Sequence, residues 1–245
     1  HLRSNKKSLI EGKKSATKHA APVHFTGSVV KTDKTAQKSA NNKAEDTDLD
    51  TIRVKVVANA AMVLDNDMDV LVPGCYTDTI AERKDITPHL HSHIKTLDAK
   101  VGEVVDVYTE EVKVSDLGIP GEGTTECLIF ETDILKSYNE KIFNQYKAGK
   151  VNQHSIGLNY EKLELAINDA SNPEEKALFD KYIGQIINPA KALERGYFWV
   201  VEKIMLIENS AVLFGSNHAT PTLETGAKEI KDNSTSVIEP VETTT

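Results

Sequence analysis

Apolar and polar positions divide the chain into a patterned centre and two unpatterned ends. Ile52, Val54 and Val56 alternate with Arg53 and Lys55, which predicts a strand from Thr51. A second apolar stretch covers Ala58–Leu64, and Val70-Leu71-Val72 ends at Pro73-Gly74. Asp78–Arg83 has the length of a short helix. Val101–Val107 alternates again. Ser115–Thr125 carries Gly118, Pro120, Gly121 and Gly123, so it reads as a long hairpin tip returning into Glu126–Phe130. Thr132–Ala148 shows a helical stripe of Leu135, Tyr138, Ile142 and Tyr146, widened by Ile134 and Phe143, with Gly149 as terminator. Val151–Tyr160 reads as a strand with Ile156, Leu158 and Tyr160 on one side and Ser155, Gly157 and Asn159 on the other. The apolar parity changes before Leu163–Ile167, which predicts a bulge. Ser171–Ile187 is a helix opened by Pro173, and Tyr197–Glu208 and Ser210–Phe214 are strands.

Short strands with a few helices predict an α+β class, mainly antiparallel. Residues 1–50 read as a basic disordered arm in which only Val23–Val30 has apolar character, and 220–245 as a disordered tail rich in Thr, Glu and Ser.

Charge sharpens this division. Residues 1–43 hold 10 Lys/Arg against 2 Asp/Glu, while the whole chain carries −8. Such an arm can bind an acidic surface or simply remain solvated. No run approaches the ~18 apolar residues of a membrane span, so no membrane partner is expected. Two cysteines, Cys75 and Cys127, give neither a disulfide framework nor a zinc spacing. The sequence begins at His1, which suggests a fragment or processed chain and leaves targeting unjudged.

Three places carry candidate chemistry. Asp65-Asn66-Asp67-Met68-Asp69 lacks the inner glycine and terminal glutamate of a calcium loop, so a turn is the better reading. His89, His91 and His93 point the same way on an extended chain. A metal arrangement is the third reading there, behind one catalytic base with two bystanders and behind ordinary surface histidines. Ser155 lies on a well-formed strand with Gly157 two residues on, and a strand glycine often marks close approach by another group. A surface serine is the plain alternative.

The order of these features carries a resemblance. Leu-Val-Pro-Gly is followed by Leu90-His91-Ser92-His93 and then Val-Gly-Glu-Val. A helix ends in glycine before His154-Ser155-Ile156-Gly157-Leu158. A late strand carries Ile207-Glu208-Asn209-Ser210-Ala211-Val212. Over Ile52–Ala219 the chain resembles the tailed-phage (caudovirus) prohead proteases, serine peptidases of capsid maturation that are similar in fold to herpesvirus assemblins. The resemblance implies a barrel-like sheet, a protease domain over residues 51–219, and an insertion at 168–195 serving as lid, dimer contact or decoration. It implies Ser155 as nucleophile, His93 as general base and Glu208 as third member, with His154 a competing third member because assemblins use a second histidine. It further implies no cofactor and no catalytic metal. Substrates would be scaffold and major capsid protein segments, and the protease itself, cut inside the immature prohead in the host cytoplasm. A homodimer is expected by analogy, and nucleic acid is not an expected partner. A catalytically silent scaffold or capsid-interaction protein is the alternative.

Overall fold

The computed structural model describes residues 5–15 and 50–227. In chain order the elements are α1 (Lys6–Ser15), β1 (Thr51–Ala60), β2 (Asp69–Leu71), α2 (Thr77–Arg83), β3 (His89–His91), β4 (Gly102–Lys113) and β5 (Thr124–Leu135). There follow α3 (Glu140–Lys147), β6 (His154–Ile167), α4 (Pro173–Ile183), α5 (Ala190–Arg195), β7 (Tyr197–Ala211) and β8 (Thr222–Ala227). The class is α+β, with two four-stranded sheets.

One sheet runs β4-β5-β1-β8 and is antiparallel throughout. In the other, the 15-residue β7 lies between unlike neighbours. Antiparallel β6 follows β7 along nearly its whole length. On the opposite edge β2 pairs in parallel with Trp199–Val201, and β3 in parallel with Asn209–Ala211. Between them α2 supplies the missing partners: Thr79 Oγ1 accepts from Leu206 N–H at 2.8 Å, and Arg83 Nε donates to Leu206 C=O at 2.5 Å. The backbone of β7 left open between β2 and β3 is thereby satisfied by side chains.

Backbone bonds link the margins of the two sheets without closing them into one. Leu90 and Lys100 form an isolated bridge, and Val101 N–H donates to His89 C=O at 3.0 Å. On the far side His154 N–H donates to Thr220 C=O at 3.2 Å. The main core between them includes Val54, Val56, Phe130, Leu158, Phe198 and Leu206, all fully buried. Register shifts interrupt β6 against β7 between Gly157 and Leu158 and again around Lys162, where the apolar parity changes in the sequence.

Several expectations differ from the fold: Ser210 and Ala211 end β7, and no separate strand covers Ser210–Phe214. The predicted helix 132–148 is shorter: β5 continues through Ile134 and Leu135, and α3 starts only after Asn139, whose side chain accepts from Ile142 N–H at 3.1 Å. Burial of Ile134 in the sheet outweighs its place on the helical stripe. Within the expected arm, residues 6–15 are helical, and within the expected tail β8 pairs with β1. The remainder of both ends, including Val23–Val30, lies outside the described residues. The 168–195 segment holds α4 and α5. It packs on the body through Phe179 against Phe198 and through Asn188, which brackets Leu64 N–H and C=O.

Candidate active site

Strand alternation fixes the site. Ser155 pairs with Ser210 and Gly157 with Glu208, so these four share one face of the β6–β7 pair. Ile156, His154, Asn209 and Ala211 take the other face.

His93 reaches the first face by a break in the chain. Ser92 and His93 both have left-handed backbone, φ 55° and 58°. Successive non-glycine residues in that region are strained and need the surroundings to hold them. Here Ser92 N–H donates to Ala211 C=O at 2.9 Å, and His93 N–H donates to Ser210 Oγ at 3.1 Å. The turn folds His93 back over β7, and its Nδ1 lies 2.6 Å from Glu208 Oε1.

Glu208 is fully buried, and both its oxygens are engaged. Oε1 faces His93, while Oε2 accepts from Ser210 Oγ at 2.6 Å. A buried carboxylate needs such donors. Space for it comes from Gly157, where an added Cβ would stand 2.4 Å from Oε1. The close approach that a strand glycine signals is therefore made by this glutamate. Because the carboxylate can only accept, His93 Nδ1 carries the proton and Nε2 is the basic nitrogen. Ser155 is 7% exposed, and its hydroxyl makes no hydrogen bond among the described residues. An open hollow of about 270 Å³, lined by Pro88, Leu90, Leu97 and Ile207, borders Glu208.

The structure thus brings Ser155, His93 and Glu208 to one face and leaves His154 on the other. His154, the competing third member, is fully buried, with Nδ1 3.0 Å from Thr220 C=O and Nε2 2.9 Å from Tyr146 OH. The three histidines of 89–93 do not point the same way either. His89 is sealed in the core, 2.9 Å from Thr132 Oγ1 through Nδ1 and 3.2 Å from Tyr146 OH through Nε2. His93 is swung off by the left-handed turn. Among the described residues no group of three or more His, Cys, Asp or Glu is placed to hold a metal ion.

The buried bonds admit one proton order. Thr220 C=O only accepts, so His154 donates from Nδ1 and accepts Tyr146 O–H at Nε2. Tyr146 then accepts from His89 Nε2–H, and His89 Nδ1 accepts from Thr132 O–H. Burial pushes His154 down to about 4. It also pushes His89 well below its ordinary value, with the neighbouring His154 adding to the effect. Both imidazoles are neutral, and they tie β3 to β6 directly beneath the His93–Ser155 face.

Sequence reasoning missed Ser210 as a site residue. It lay in view beside Glu208, and its role follows only from its pairing opposite Ser155. Comparisons with family models, with curated proteins and with solved structures find no match. No helix among the described residues is long and apolar enough to cross a membrane.

Proposed function

We propose that the chain is a serine endopeptidase of the tailed-phage prohead type. It would cut scaffold and major capsid protein segments, and itself, inside the immature prohead in the host cytoplasm. One observation carries this reading: His93 is oriented by a buried glutamate, 2.6 Å from its Nδ1, on the strand face that bears Ser155. In the proposed step His93 Nε2 removes the Ser155 proton as Oγ attacks the scissile carbonyl, and the imidazolium then protonates the leaving amine. A water reverses these roles to release the acyl group. Glu208 holds the tautomer and stabilises the imidazolium without taking its proton. Ser210 is a positioning residue, since its hydroxyl is committed to Glu208. The apolar hollow beside Glu208 would hold a substrate side chain.

The barrel-like architecture of the assemblins belongs to this proposal. It is supported by backbone links between the sheets at Leu90–Lys100, at His154–Thr220 and at Met62–Leu71. A homodimer is proposed by analogy alone.

The silent-scaffold reading has its own observation, the absence of a hydrogen bond to Ser155 Oγ among the described residues. Catalytic bonds are often loose before substrate binds. One experiment separates the two. A fluorophosphonate probe should label the native chain at Ser155 and leave Ser155→Ala unlabelled, and that variant should stop self-cleavage and scaffold processing. An unlabelled native chain, or processing that persists in Ser155→Ala, rejects the peptidase.

A further inference from the structure

The stripe Lys6, Leu9, Ile10, Lys13 repeats at i, i+3, i+4 and i+7 along α1, and these are the α1 residues that the body partly covers. Leu9 and Ile10 pack on the main core. Lys6 pairs with Glu175 of α4, and Lys14 Nζ donates to Glu161 C=O at 2.9 Å. Lys13 enters a recess in the body. Its ammonium pairs with Asp69 Oδ1, donates to Asp67 C=O at 3.2 Å, and lies 5.5 Å from the Tyr160 ring and 5.0 Å from the Trp199 ring. Asp69 is fully buried, and its Oδ2 accepts from Tyr160 OH. The acidic turn Asp65–Asp69 thus receives a lysine. Asp65 spends its own Oδ1 on Asp67 N–H and Asp69 N–H, which shapes the turn.

A carboxylate at the floor and two aromatic faces at the walls suit a compact cation. A neutral side chain of equal length would take the Lys13 charge away from Asp69 and the two rings. Among the described residues α1 makes no backbone–backbone hydrogen bond to the body, and its contacts there run through its side chains. Residues 16–49, 34 positions, separate it from Asp50.

We propose that this recess is a lysine-recognition site and that α1 is a separable ligand filling it in cis. The body binds a basic amphipathic helix with the stripe Lys-x2-Leu-Ile-x2-Lys, and takes that segment from a second copy once its own is cut loose. Attachment to the same chain keeps the native α1 in place, because tethering gives an effective concentration on the order of mM. This inference is independent of the peptidase reading.

The test uses the full chain with a specific protease site inserted between residues 30 and 31. After cutting, α1 should co-elute with the body in gel filtration at micromolar concentration. A labelled synthetic peptide of residues 1–20 should exchange into the nicked complex with a rise in anisotropy. With Lys13→Met in the chain, α1 should be lost from the nicked complex, its affinity at least tenfold lower. Trp199, the sole tryptophan, should change its emission on that loss. Lys7→Met removes the same charge from an exposed position and should leave α1 bound. Both variants leave the body unaltered. Equal retention of α1 in the Lys13 variant, equal loss in the Lys7 variant, or loss from the unsubstituted nicked chain would each overturn the proposal.

Discussion

Acid should loosen this protein through the two imidazoles under the site, and His154 allows the effect to be sized. Its value falls from 6.5 to about 4 because burial disfavours the charged ring. Between those values the unfolded chain binds a proton that the native protein refuses. Stability is therefore complete above about pH 6.5, is lost as pH falls towards 4, and changes no further below that. At about 1.4 kcal/mol for each pKa unit, the whole loss from His154 is about 3 kcal/mol, of which about 1.5 kcal/mol falls between pH 6.5 and 5. The side chain is fully buried, so solvent screening takes little from this. His89, lowered by burial and by His154, adds a loss of the same sign. Urea unfolding at a series of pH values, with constant m-value, measures the slope. His154→Gln removes one titrating ring, so its stability should fall less steeply over this window, by about one proton. Parallel curves for native protein and variant would refute the assignment of His154 as a neutral buried base.

Three substitutions probe the site and its support. Gly157→Ala places a methyl 2.4 Å from Glu208 Oε1, so the carboxylate must leave His93; scaffold processing should fall by about 10²-fold or more with little change in fold by circular dichroism. Ser210→Ala removes the donor to Glu208 Oε2 and the acceptor for His93 N–H, and should cost about 1–3 kcal/mol in urea unfolding while lowering processing. Asn139→Ala removes the α3 cap and should cost about 1 kcal/mol, read as a melting point lower by a few degrees.

Much of this was legible in the residues, and the failures have definite causes. Alternation around Ser155 gave the correct face, and Gly157 announced a close approach, because period-2 burial and a missing Cβ both leave marks in a sequence. The path of His93 left none. Ser92 and His93 are ordinary residues in left-handed backbone, imposed by bonds to Ala211 and Ser210 more than a hundred positions away. Extended geometry at 89–93 was the default, and it put three histidines together that the fold separates. The start of α3 was misplaced because Ile134 and Leu135 fit a helical stripe and a buried strand equally well. For α1, a lysine-rich segment with two apolar residues has too little to bury by itself, and its stripe gains meaning only against the recess that receives it.

The three residues of β3 meet β7 on one side and Lys100–Val101 on the other, so they form the seam between the two sheets. His93 leaves the end of β3 and is held by β7, and Ser155 opens β6 beside the link at His154, so both groups sit where this sheet meets the other. A shift of one sheet against the other would strain the ends of β3 and β6 together, while the β6–β7 register that aligns the two side chains lies within a single sheet.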